Sequence, residues 1–197
     1  MCIRDSVHAP PRAAPGPAAW PSVSTDTAAY AHVRVHGVLL NDRATPVQAL
    51  TELGAGYWVL TPLRTDAGWT VLVNRGFVPP ERRATASGPA TPVTITGLLR
   101  ITEPKGGFLR SNDAAAGHWY SRDVAAIARS RGLTNAAPYF IDADATPNPG
   151  GYPVGGLTVV AFPNSHLSYA LTWFTLAALS VVGLVLLLRG ERGVANR

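Results

Sequence analysis

Apolar and polar positions alternate with a period of two along most of the chain and then give way to one unbroken apolar run. Residues 31–39 place Val33, Val35 and Leu39 on one face, which predicts a half-buried strand. Residues 57–61 predict a second strand ended by Pro62. A third, at 69–74, joins it as a hairpin through Asp66-Ala67-Gly68. Arg75-Gly76 then allows a bulge before Phe77 and Val78, and Pro79-Pro80 closes the run. Further strands are predicted at 91–99, 139–142 and 157–162. Helical spacing appears at 121–131, where Val124, Ile127 and Ala128 share a face. Ser121 is the expected N-cap, Asp123 lies in the first turn, and Gly132 is the stop.

Residues 167–188 carry no charge, proline or amide side chain. A helix over this run would be about 33 Å long, against a hydrocarbon core of about 30 Å. The pattern therefore predicts a membrane helix at 164–189, with Asn164 and Ser165 as candidate caps. The tail behind it holds Arg189, Arg192 and Arg197 against Glu191, so the positive-inside rule keeps it cytoplasmic and puts the preceding domain on the exported side.

Composition changes little in this picture. The net charge is +5, but Lys105 is the single lysine and the arginines are scattered, so no nucleic-acid-binding stripe is read. Cys2 is the one cysteine, which excludes an intramolecular disulfide and a cysteine-based zinc site. Residues 1–29 are rich in proline and alanine and read as a flexible segment without a signal-peptide core. The layout expected is a flexible segment at 1–29, an exported β-rich domain at 30–163, the membrane helix at 164–189 and a basic tail at 190–197. The fold class is α+β: a mostly antiparallel sheet or partial barrel with one covering helix, plus the C-terminal transmembrane helix.

Three motifs, in order, carry a family resemblance. They are Gly56-Tyr57-Trp58-Val59-Leu60-Thr61-Pro62-Leu63, then Val71-Leu72-Val73-Asn74-Arg75-Gly76-Phe77-Val78-Pro79, then Asn164-Ser165-His166-Leu167-Ser168-Tyr169-Ala170-Leu171-Thr172-Trp173-Phe174. Over residues 30–188 the chain resembles the Surfeit locus protein 1 family of cytochrome c oxidase assembly factors. The resemblance implies two membrane helices around an exported domain, so the chain looks like a fragment or a gene read from downstream of its true start. It also implies a non-enzymatic role in delivering haem a to the oxidase's large catalytic subunit, with a haem a synthase as a further partner. The place implied is the bacterial inner membrane with the domain periplasmic, or the mitochondrial inner membrane. Ser165 and Phe77 depart from the family's usual Asn and Trp without removing a metal ligand.

His166 carries the most chemistry. A neutral imidazole is a standard axial ligand of haem iron, and the resemblance supports that role; a polar interfacial residue is the plainer alternative. Tyr169 and Trp173 follow at i+3 and i+7 on the same helix face, placed to stack on a porphyrin or to form an aromatic belt. His32 and His36, four apart on a strand, lie about 13 Å from each other and read as surface or edge residues. His118-Trp119-Tyr120 reads as a loop anchor or an aromatic contact. Asn74-Arg75-Gly76 reads as structural, with Arg75 pairing a carboxylate or carbonyl, or else meeting haem propionates. The glycine pairs at 150–151 and 155–156 lack the context of a phosphate loop and read as turns. No hydrolase or metalloprotease motif is present, which leaves a haem-handling factor, a scaffold that never touches haem, and an exported hydrolase with no positive support.

Overall fold

In the computed structural model, residues 9–86, 90–104, 110–145, 148–157 and 166–194 are described. Seven strands form one mixed sheet: β1 (Arg12–Ala13), β2 (His32–Leu39), β3 (Thr45–Thr51), β4 (Gly54–Thr65), β5 (Thr70–Val78), β6 (Thr91–Ile101) and β7 (Ala136–Ala143). Their order is β1-β2-β6-β7-β5-β4-β3. β2 also pairs with the far half of β4 through Gly37↔Thr65 and Leu39↔Leu63, so β2, β6, β7, β5 and β4 close on themselves as a barrel.

The sheet is mixed: five of its seven described pairings are antiparallel, in line with the expected majority, and two are parallel. β1 runs parallel to β2, and β5 runs parallel to β7. A parallel pair is normally covered on both faces, and β5 and β7 are buried along nearly their whole length. Their odd-numbered residues, Val71, Val73, Tyr139 and Ile141, join Val33, Val35 and Leu39 in the barrel interior. Their even-numbered residues, Leu72 and Phe140, face outward and are roofed by Val124 and Ile127 of helix α2 (Val124–Ser130).

Local chemistry explains where boundaries moved. β4 runs through Pro62 to Thr65. Leu40 donates to the Pro62 carbonyl, so the proline nitrogen faces the same edge, where the neighbour of β4 changes from β3 to β2. Asp123, rather than Ser121, caps α2 by accepting from the Ala126 amide at 2.9 Å. Ser121 instead accepts from Asn112. β3, with Pro46 near its start, carries little alternation and was not expected.

The described part of the N-terminal segment, residues 9–29, lies against the barrel. A short helix, α1 (Thr25–Ala28), leads into β2. Arg12 and Ala13 pair with β2, Trp20 meets Trp69 edge-on at 6.1 Å between centroids, and the Tyr139 hydroxyl donates to Pro15 at 2.6 Å.

A separate compact unit, 159–197, contains helix α3 (His166–Val194). Among the described residues no helix is long and apolar enough to cross a membrane. That overturns the transmembrane helix expected at 164–189. The helix continues past Leu188 through Arg189, Glu191 and Arg192. The strand expected at 157–162 and the caps Asn164 and Ser165 fall outside the described residues except for Leu157.

Candidate functional site

Among the described residues the barrel wall opens where β7 stops. β7 joins β6 to β5 as far as Gly97↔Ala143 and Asn74↔Asp142. Beyond that point residues 91–96 of β6 still pair with β2; among the described residues their other edge meets no further strand, and Thr96 there accepts from the Asp144 amide at 3.0 Å. A cavity of about 250 Å³ lies in the gap, lined by Val93, Ile95, Ala143, Asp144 and Arg75 among others.

Arg75 is brought there by the motif around it. Trp58 pairs with Phe77 and Leu60 with Asn74, so Arg75 and Gly76 together oppose Val59: a bulge at the expected position. The Asn74 side chain holds the bulge from both ends. Its amide donates to Asp142 at 2.8 Å, and its oxygen accepts from the Gly76 amide at 3.2 Å. Gly76 has φ of 126°, and a Cβ there would fall on the Val154 carbonyl, whose residue is hydrogen-bonded in both directions to Phe77. With its neighbours fixed, Arg75 points into the gap and donates to the side-chain oxygens of Asn41 at 3.0 Å and Asn148 at 3.2 Å. These are the carbonyl partners expected for Arg75, but they are neutral. Among the described residues no carboxylate forms an ion pair with it. Burial lowers its pKa from the ordinary value, yet a guanidinium remains protonated throughout the physiological range.

Behind this site lies a charge cluster that the sequence reading missed. Arg100 donates to Asp142 at 2.8 Å and to Glu103 at 3.1 Å, and Arg122 bridges the same two acids. Two cations meet two anions, and Arg122 also lies over the Phe140 ring at 5.0 Å. The cluster ties the end of β6 to the start of α2. Its one signal in the sequence was Asp142, a charge closing an apolar strand.

His32 donates from Nδ1 to the Ala9 carbonyl at 2.9 Å and from Nε2 to Asp144 at 3.1 Å. A carbonyl and a carboxylate are both acceptors, so this geometry suits the doubly protonated ring. Burial opposes that charge, but the Ala9 carbonyl and Asp144 together raise the pKa above 6.5. His36 pairs separately with Asp66 at 2.6 Å, and β2 keeps the two imidazoles apart as expected. Trp119 is buried beneath α2, which makes 118–120 a loop anchor, while Tyr120 meets Arg110. Gly150 and Gly151 form a 3-10 turn.

His166 opens helix α3, and its side chain lies outside the described set. Tyr169 and Trp173 follow on the same helix and are 67% and 69% exposed. Arg75 and His166 lie in separate compact units.

The family model described as the SURF1 family matches residues 2–178. Surfeit locus protein 1 of Homo sapiens is 42% identical over 155 residues, covering 75% of this chain and 50% of that protein. Surfeit locus protein 1 of Mus musculus is 41% identical over 135 residues, with 66% and 43% covered. The SURF1-like protein of Monosiga brevicollis is 37% identical over 194 residues, with 88% and 72% covered. The chain thus spans about half the length of the human relative and somewhat less of the mouse one. With nine-tenths of its sequence inside that match, the chain belongs to the SURF1 family.

Proposed function

We propose that this protein is an assembly factor for cytochrome c oxidase that helps deliver haem a to the large catalytic subunit and is not itself an enzyme. The observation that carries the reading is the family match over residues 2–178. In this reading haem a is cargo. His166 offers an axial nitrogen, and Tyr169 and Trp173, one and two turns further along the same helix face, offer ring surfaces for the macrocycle. The partners are the large subunit and a haem a synthase. The work is done at the membrane that houses the oxidase, bacterial or mitochondrial, with the barrel on the exported side.

A second reading is a scaffold that grips an oxidase subunit without touching haem. It is favoured by the tip of the β3–β4 hairpin, where Leu50 and Leu53 are 85% and 56% exposed, an apolar contact ready for a protein surface. His166→Ala separates the two. In the first reading the purified variant loses co-purifying haem while still capturing the large subunit. Unchanged haem content defeats that reading and leaves the scaffold.

A further inference from the structure

We propose that the gap between β5 and β6 binds a single carboxylate borne on a short apolar stem, with Arg75 as its cationic anchor. The proposal goes beyond the oxidase reading and concerns the barrel unit alone.

The donor inventory comes first. A guanidinium has five N–H groups, and within the described residues two are engaged, by Asn41 and Asn148. Both acceptors are neutral amides, so they fix the plane of the fork, and among the described residues no carboxylate pairs with its charge. A half-buried cation in this state favours an anion, and a planar fork matches a carboxylate in two-point contact. Asn41, Asn148 and Arg75 all line the same cavity, so the remaining donors lie at its wall.

The other walls select among anions. Asp144 also lines the cavity. Its carboxylate is engaged by the His32 ring at 3.1 Å, whereas Arg75 faces the cavity with its two neutral partners. A phosphate dianion would meet one cation and an acidic wall, whereas a monoanion is balanced. Val93, Ile95 and Ala143 supply an apolar side, and about 250 Å³ is room for a chain of several methylenes beyond the carboxylate. Burial of each methylene strengthens binding about fourfold.

The test is a titration of the full chain with butyrate, hexanoate, hexanol and inorganic phosphate, read by isothermal titration calorimetry and, wherever Arg75 is retained, on its side-chain N–H resonances. Saturable binding is expected with hexanoate, about fifteenfold tighter than with butyrate. Hexanol should bind at least tenfold more weakly than hexanoate. Arg75→Gln should weaken hexanoate at least tenfold. Should that variant lose its fold, Asn148→Asp serves instead, since it places a competing carboxylate against Arg75 and should abolish hexanoate binding. Equal binding of hexanol, tighter binding of phosphate, no saturation in the unmodified protein, or undiminished affinity in Asn148→Asp each overturns the proposal. None of these readouts involves haem or the oxidase, so failure here leaves the assembly reading standing, and the reverse.

Discussion

The amide of Asn74 donates to the carboxylate of Asp142 at 2.8 Å across the parallel pairing of β5 and β7. This one contact couples the charge cluster under α2 to the bulge that carries Arg75. Asn74 is spent entirely on structure: one end on Asp142, the other on the Gly76 amide. Arg75 is then the residue of the Asn-Arg-Gly motif whose side chain is left to face a cavity.

Replacing Asn74 with Leu should therefore act at two places. It leaves the Gly76 amide unanswered and removes one donor from a buried carboxylate, at a cost of about 2 kcal/mol. Arg100 still holds Asp142, so the fold should survive. Urea denaturation checks the loss of stability, and the Arg75 side-chain resonances should broaden as the bulge loosens. A variant as stable as the parent would contradict the role assigned to Asn74.

Glycine positions give a sharper contrast. Gly76→Ala meets both a positive φ and the Val154 backbone, so it should cost about 3 kcal/mol or more. Gly68→Ala has a positive φ but open space around its Cβ, so about 1 kcal/mol is expected. Thermal melts of the two variants test the ordering. Comparable losses would mean that the Val154 contact is relieved by a backbone shift.

How much of this was legible beforehand depended on which residues carried a period. The faces of β2, β5 and α2 follow from Val33, Val35, Val71, Val73, Val124 and Ile127, because periodicity reports burial directly. The bulge at Arg75-Gly76 was legible too, since glycine after an alternating run marks a break in register. Closure of the barrel was not, because pairing of Leu39 with Leu63 is a long-range event with no local signature. Nor were Asn41 and Asn148, polar loop residues whose role appears only when Arg75 reaches them. The C-terminal run misled for a different reason. Apolar length was read as membrane length, whereas the helix continues into Arg189 and Glu191. Of the residues proposed for haem contact, Tyr169 and Trp173 are exposed on their helix.

His32 should make stability depend on pH in a defined direction. Its pKa in the folded protein lies above the ordinary 6.5, so the folded state holds the proton more tightly than the unfolded chain. The stabilisation is fully present below pH 6.5 and is lost as pH rises through the folded value. Urea midpoints measured between about pH 5 and about pH 9 should fall with rising pH, and His32→Gln should flatten that slope. The Ala9 contact joins the N-terminal segment to the same titration, so cleavage by a protease near residue 9 should quicken over the same interval. A slope unchanged in His32→Gln would assign the pH dependence to another group.

The assembly role itself is tested most directly in cells of the source organism. Deleting the gene for this protein and quantifying oxidase-bound haem a in isolated membranes gives the deciding number. The account predicts a marked fall in haem a per large subunit, restored when the gene is returned. Oxidase that keeps its full complement of haem a without this protein would contradict it.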